Sequence, residues 1–505
     1  MFYLLKNLKL KDWLIIAISV GLIVAQVLLE LKMPDYTSKL TTIVQNKTAN
    51  MHEVLKNGGL MLACAGGSLV CAIICTVLIS RVASSFSRIL REKLFSKIAD
   101  FSDAEMKKFS VPSLITRTNN DVMQMQNFMA MGVQLLFKAP IMAICAILKI
   151  SASNIQWTSA VLICVAIIIV CVCIIIGFSI PRFKKIQKLT DDINNVTREN
   201  ISGVRVIRAF NAESYQEAKF EKVNDSITKN HLFTARTMGL MMPVMTLVMN
   251  GLMLAIYWIG ALLINNIAFG ANPVGAIQER VLLVGNMTAF TQYALQVVMS
   301  FMMLIFIFII LPRTIVSANR IAEVLKTSPS IIGSEQILDT TKSGEVEFKN
   351  VCFSYPDSRE SELALENISF KVTKGQTLAI IGATGSAKTT LINLIPRFYD
   401  STSGQVYVNG VNIKNYNEKD LREKISIASQ KAVLFKGTVE ENVAYGSVNI
   451  NNEKLTKALK IAKADFVFNL ENGIKSEVAQ GGTNFSGGQS KGFLLQGQYI
   501  KMRKF

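Results

Sequence analysis

A chain of 505 residues exceeds what one folding unit usually needs. Half of it is hydrophobic, and its mean hydropathy of +0.35 excludes a wholly water-soluble enzyme. The net charge of +18 would suit nucleic acid, but no aromatic-plus-basic reader module is present, and the excess flanks apolar stretches, so nucleic acid is excluded as a partner.

In chain order, "MFYLLKNLKLKDW" mixes Lys with Leu, Phe and Tyr, which suits a helix at a membrane surface; a solvated tail is the alternative. Six apolar stretches follow, each long enough to cross a bilayer: about Trp13–Leu31, Leu60–Ser80, Met131–Ile150, Thr158–Ile180, Met238–Ile264 and Val281–Leu311. The first is too long for a cleaved signal and lacks a small-residue cleavage site. Lys138 falls inside the third; we expect it near an end of the span, snorkelling, with a substrate site as the alternative. Seven of the eight cysteines lie in or beside these stretches without metal-ligand spacing, and they read as small apolar residues.

Positive charge sets the orientation. Arg88, Arg91, Lys93, Lys97, Lys107, Lys108 and Arg117 follow the second span, and Arg182, Lys184, Lys185, Lys188, Arg198, Arg205 and Arg208 follow the fourth; the link after the first span holds Lys32, Lys39, Lys47 and Lys56, which weakens the contrast without reversing it. The links 151–157 and 265–277 carry no positive charge, so both basic segments and both termini are expected in the cytoplasm, with the chain multi-pass in a plasma membrane. The basic segments are too long for turns. "SRVASSFSRILREKLFSKIADF" and "NVTRENISGVRVIRAFNAESYQEAKFEKVN" keep helical apolar spacing, as arms projecting from the membrane would.

We expect a membrane domain over 1–325, a linker over 326–343, and an α/β domain over 344–505. In the last, "GEVEFKNVCFSY" and "LENISFKV" alternate like half-buried strands, and "SGQVYVNGVNI" predicts a hairpin turning at Asn409-Gly410. "QTLAIIGATGSAKTTLINLIPRF" reads as buried strand, glycine loop and helix. Its loop, Gly382, Ala383, Thr384, Gly385, Ser386, Ala387, Lys388, Thr389 and Thr390, points backbone N–H groups at one place and suits phosphate. Lys388 would reach the β- and γ-phosphates, and Thr389 would ligate Mg²⁺. Ala387 departs from the pattern, which has glycine there; a Cβ at positive φ would cost about 1 kcal/mol or more.

With these elements in place the chain resembles an ABC exporter half-transporter: six helical spans followed by a P-loop nucleotide-binding domain. "SLITRTNND", "ENISGVRVIRAFNAE", "SANRIAEVL", "VCFSYP" and "FSGGQ" carry the likeness over Trp13 to Gln489. The resemblance implies that Tyr355 stacks on adenine and that Gln430 meets Mg²⁺ beside the docking arms. It also implies that Ser486, Gly487, Gly488 and Gln489 form a signature contacting ATP held by a second subunit. The partners implied are that subunit (the same chain or a related one), membrane lipid and an amphipathic or apolar substrate; the cofactors are ATP and Mg²⁺.

The family's next parts are an acidic strand end, a water-polarising glutamate and a histidine. None is readable after Gln489, so we assign this chain no catalytic residue and expect an incomplete nucleotide domain. Residues 490–505 read "SKGFLLQGQYIKMRKF"; back-translated with one base inserted ahead of them, they give "KQRLSIARAIYKNAEI", which resembles the family's continuation. A single-base shift is the expectation, and a divergent C-terminus the alternative. Three functions remain: an exporter subunit, a non-hydrolysing partner of an intact subunit, or an inactive product. Without its acidic neighbour, the strand feeding the phosphate loop would present an apolar edge.

Overall fold

A computed structural model describes residues 1–45, 51–151, 155–267, 273–334, 344–356, 362–428, 430, 433–445, 452–461, 464–486, 488–489 and 492. They form two compact units, one of Met1–Phe95 with Ile115–Lys326, the other of Ser96–Leu114 with Thr327–Phe505.

The first unit is helical. A short α1 (Phe2–Leu5) precedes α2 (Leu10–Gln45) and α3 (Met51–Ala99). After the short α4 (Asp103–Phe109), the helix α5 (Val111–Ser151) carries two π-helical segments, Arg117–Asp121 and Phe128–Gly132. Then come α6 (Ile155–Ala209), α7 (Glu213–Gly239), α8 (Met241–Asn266) and α9 (Pro273–Lys326). Six helices among the described residues are long and apolar enough to cross a membrane, as expected. Pro34, Pro140, Pro181 and Pro312 lie inside these helices, where membrane helices tolerate them because packed neighbours meet the freed backbone groups.

Only one side of each helix is buried. Ile23, Val27, Ile150, Ile256, Phe290 and Val297 meet in a common core, while Ile163 and Val170 on α6 remain 60 % and 56 % exposed, as lipid contact requires. At Gly285 a Cβ would sit 2.9 Å from the Ser38 backbone oxygen, so glycine lets α9 close on α2. Residues 1–9 do not form the separate surface helix expected: α1 is one turn, with Leu4 and Leu8 buried and Lys326 5.1 Å above the Tyr3 ring. Lys138 also differs from expectation. Instead of reaching out alone, its ammonium pairs with Glu30 at 3.1 Å, both side chains largely buried.

The arms are helices continuing out of the spans, as read from sequence. Val82, Phe86, Leu90 and Leu94 are buried along α3, and α6 pairs with α7 across the break at 210–212. An ionic tie joins the first π segment to α9. Ser317 Oγ donates to the buried Asp121 carboxylate at 2.9 Å, Arg320 lies 3.4 Å from its other oxygen, and Arg117 donates to Arg320 O and Glu323 at 2.7 Å each.

In the second unit an antiparallel sheet runs in the order β2-β1-β3-β4, from β1 (Val346–Phe353), β2 (Leu365–Val372), β3 (Ser403–Val408) and β4 (Val411–Asn412). Asn409 and Gly410 take φ of 55° and 80°, the paired positive φ of a tight hairpin turn. Helices α10 (Lys388–Leu394) and α11 (Glu418–Lys424) flank this sheet, and Leu391, Leu394 and Leu421 complete its core. A second core gathers Leu434, Val439, Leu455, Val467 and Val478. It is built by β5 (Gly437–Thr438), α12 (Val439–Val443), α13 (Asn452–Ile461) and β6 (Glu477–Val478).

The strand expected at 376–381 is not a buried strand. It pairs with no other strand among the described residues, and Leu378, Ile380 and Ile381 are 49 %, 39 % and 92 % exposed. A parallel strand is held only by neighbours distant in sequence, and none of the described residues pairs with it.

Helix α4 belongs to this second unit. Ser102 and Glu105 form a capping box, and Glu105 also accepts from the Ser330 N–H at 3.1 Å. Burial opposes ionisation of Glu105, but hydrogen bonds from Ser102 and Ser330 outweigh it and hold the carboxyl below the usual glutamate range.

Two outcomes follow. Asp121→Ala, which removes a buried carboxylate from Ser317 and from the partly exposed Arg320, should cost about 2 kcal/mol and lower the melting temperature of the detergent-solubilised protein, whereas Asp225→Ala in the exposed Lys229–Asp225 pair should cost under about 0.5 kcal/mol. Because the folded Glu105 value is depressed, its contribution is complete above the ordinary glutamate value and disappears as pH falls through the lowered one. Hydrogen exchange of α4 should therefore rise on acidification, and Glu105→Gln should remove that dependence.

Candidate functional site

The phosphate-loop candidate lies between the unpaired segment 376–381 and α10. Gly385 has φ of +88°, and a Cβ on Gly382 would come within 2.7 Å of Ser386 Oγ, so both glycines are needed for so tight a loop. Lys388 folds back into it, donating to Gly382 O at 2.8 Å, Ala383 O at 2.6 Å and Ser386 Oγ at 3.2 Å. An ammonium held at the centre of a ring of backbone is arranged for an anion, which would exchange with these carbonyl contacts. The residues present thus fit a polyphosphate.

Ala387 lies in the left-handed region, at φ 57° and ψ 22°, the positive φ anticipated from its departure from glycine. It is half-buried against the sheet core, so the strain is carried by packing around it.

The two threonines divide. Thr389 is exposed, its hydroxyl available to a cation; Thr390 is buried, and its hydroxyl shares a 2.8 Å hydrogen bond with Tyr355 OH. That bond fixes Tyr355 beside the loop. Its ring meets Phe353 and Tyr399 edge-on, with centroids 4.9 Å and 5.4 Å away. Lys107 of α4 lies 4.6 Å above the same ring and 5.3 Å from that of Tyr399. Neither Lys107 nor Tyr399 carried a motif, so sequence reading missed both; composition offers no signal for a cation that meets its aromatic partners across so much chain.

Gln430 is exposed, and none of the hydrogen bonds among the described residues joins it to Thr389. The signature candidate starts a helix. Ser486 N–H donates to Gln489 Oε1 at 2.8 Å and Gln489 N–H to Ser486 Oγ at 3.3 Å, a reciprocal capping box. Asn484 braces the turn before it through Glu477 O and the Ala479 N–H. A Cβ on Gly488 would lie 4.0 Å from Ser486 Oγ, an ordinary contact, and Gly487 lies outside the described residues.

Known proteins match both parts of the chain. Residues 15–301 match the ABC transporter transmembrane region, and residues 365–503 match the ABC transporter ATP-binding family. An uncharacterized ABC transporter ATP-binding protein of Mycobacterium tuberculosis is 35 % identical over 457 residues, 89 % of this chain and 75 % of that protein. An ATP-dependent lipid A-core flippase of Syntrophus aciditrophicus is 27 % identical over 442 residues, 85 % of this chain and 69 % of that one. A bacterial Atm1-family ABC exporter with ATP bound shares the fold, at a TM-score of 0.74 and 19 % identity, over 97 % of this chain and 83 % of that one. The chain belongs to the ABC transporters.

Removing the left-handed Cβ is the direct test of the loop. Because the strain is already present without ligand, Ala387→Gly should leave binding of a fluorescent ATP analogue nearly unchanged and raise the stability of the nucleotide domain by about 1 kcal/mol, measured by denaturant titration of the purified protein.

Proposed function

We propose that this ABC transporter chain is one half of a dimeric exporter that moves an amphipathic or apolar substrate out of the cytoplasm across a plasma membrane. ATP would lie between the loop Gly382–Thr390 of one copy and Ser486–Gln489 of its mate, with Tyr355 beside the adenine. Thr389 and Gln430 would hold Mg²⁺, whose charge offsets that of the phosphates. Binding in two closures of unequal affinity is the condition for nucleotide to drive the membrane helices.

The observation that carries this reading is the seat of α4. This seven-residue helix, which follows membrane helix α3 and precedes α5, places Ala104 against the sheet core and Lys107 on Tyr355. Whatever repositions Tyr355 is felt at once by the short link between two spans. The mate's nature, the same chain or a related one, is decided by which copies co-purify.

The unpaired segment 376–381 favours a second reading, in which this chain binds nucleotide and lends its signature while hydrolysis belongs to an intact partner. ATP hydrolysis by the purified chain alone, compared with the chain co-purified with a related subunit, tests that directly.

For the leading reading, azido-ATP should photolabel the full chain in nanodiscs, and Lys388→Ala should cut labelling about 10-fold or more. ATP-dependent co-purification of differently tagged copies should fall with Ser486→Ala. Labelling indifferent to Lys388 would overturn the site.

A further inference from the structure

The segment after the first apolar stretch runs against the charge pattern of the other spans. On the orientation that the basic arms imply, α2 ends away from the cytoplasm, where lysine is disfavoured, yet Lys39 stands in its last two turns. It lines a cavity of about 510 Å³ walled by α2, α3 and α9, where Gly285 lets α9 close on α2. A space of that size takes a small ligand or the head of a larger one.

Charge on its walls is unequal. Among the described residues they carry one carboxylate, Asp35, and one cation, Lys39. Asp35 is engaged: Oδ1 accepts from Tyr293, and Oδ2 pairs with Lys149 Nζ of α5 at 2.9 Å. Lys39 pairs with no carboxylate among the described residues, and its ammonium lies 5.7 Å from the Tyr36 ring centroid, a contact that leaves the charge uncancelled. The preceding residue, Ser38, donates to Asn286 Oδ1 at 3.3 Å, which turns that amide so that its Nδ2 hydrogens meet no acceptor among the described residues. An unpaired ammonium and an unused amide donor therefore line one space. An oxyanion satisfies both, a cation is repelled by Lys39, and a neutral ligand leaves the charge unmatched. Ile43, Leu282, Ala289 and Phe290 make the rest of the wall apolar, surface that a bare anion would leave in water and an alkyl chain would cover.

We propose that this cavity binds an anionic amphiphile, its oxyanion headgroup held by Lys39 and Asn286 and its chain covering the apolar wall. The site needs only the membrane helices, so it stands whether or not the exporter reading does.

The test measures radiolabelled dodecyl phosphate bound to the full chain in phosphatidylcholine nanodiscs, above empty nanodiscs. Saturable binding is expected. Dodecyl maltoside and dodecyltrimethylammonium, of equal tail length, should compete at least about 10-fold more weakly than unlabelled dodecyl phosphate, and inorganic phosphate at the same concentrations should not compete. Lys39→Gln should weaken binding about 10-fold and Asn286→Leu about 5-fold, while Lys39→Arg retains it. Lys32→Gln, which removes an exposed lysine of α2 that does not line the cavity, should leave binding unchanged, and all four variants should keep the size-exclusion profile. Equal competition by the neutral or cationic amphiphile, an equal loss in Lys32→Gln, indifference to Lys39→Gln, or no saturable binding each overturns the proposal. Full competition by inorganic phosphate would mean an anion held without its chain, and overturns it too.

Discussion

Hydrocarbon offers the backbone no hydrogen-bonding partner, and that single constraint shapes most of this molecule. Each crossing must be a closed helix, so the chain can re-enter water only by running its helices on, which α3, α6 and α9 do for tens of residues. Helices of that length are stiff, and what joins them below the membrane is short. Between α3 and α5 stands only α4, held by the Ser102–Glu105 capping box and the Ser330 N–H.

Two polar clusters tie the helices together. In one, Asp121, with Ser317 and Arg320 around it, binds a π-helical irregularity to α9. In the other, Glu30 and Lys138 pair at 3.1 Å, and Gln26 and Ser68 donate to the same carboxylate.

Much of this was legible from residue order. Runs of about twenty apolar residues have few alternatives in a folded chain, and all six became spans. Asn409-Gly410 announced its hairpin because few other residue pairs accept two positive φ angles. The left-handed Ala387 was foreseeable because a motif with glycine at one position tells why glycine is needed. What escaped was set by contact between distant segments. Glu30 and Lys138 lie on different helices, Lys107 finds Tyr355 from another part of the chain, and nothing local says so. The segment 376–381 shows the converse, since its apolar pattern is right for a strand but pattern alone supplies no neighbour to pair with.

That unpaired segment leads directly into the phosphate loop. A loop anchored to a rigid sheet holds its shape before its ligand arrives; one hung from a free, water-exposed tether does not. On the proposed nucleotide reading, part of the energy of gripping phosphate would go into ordering residues 376–381.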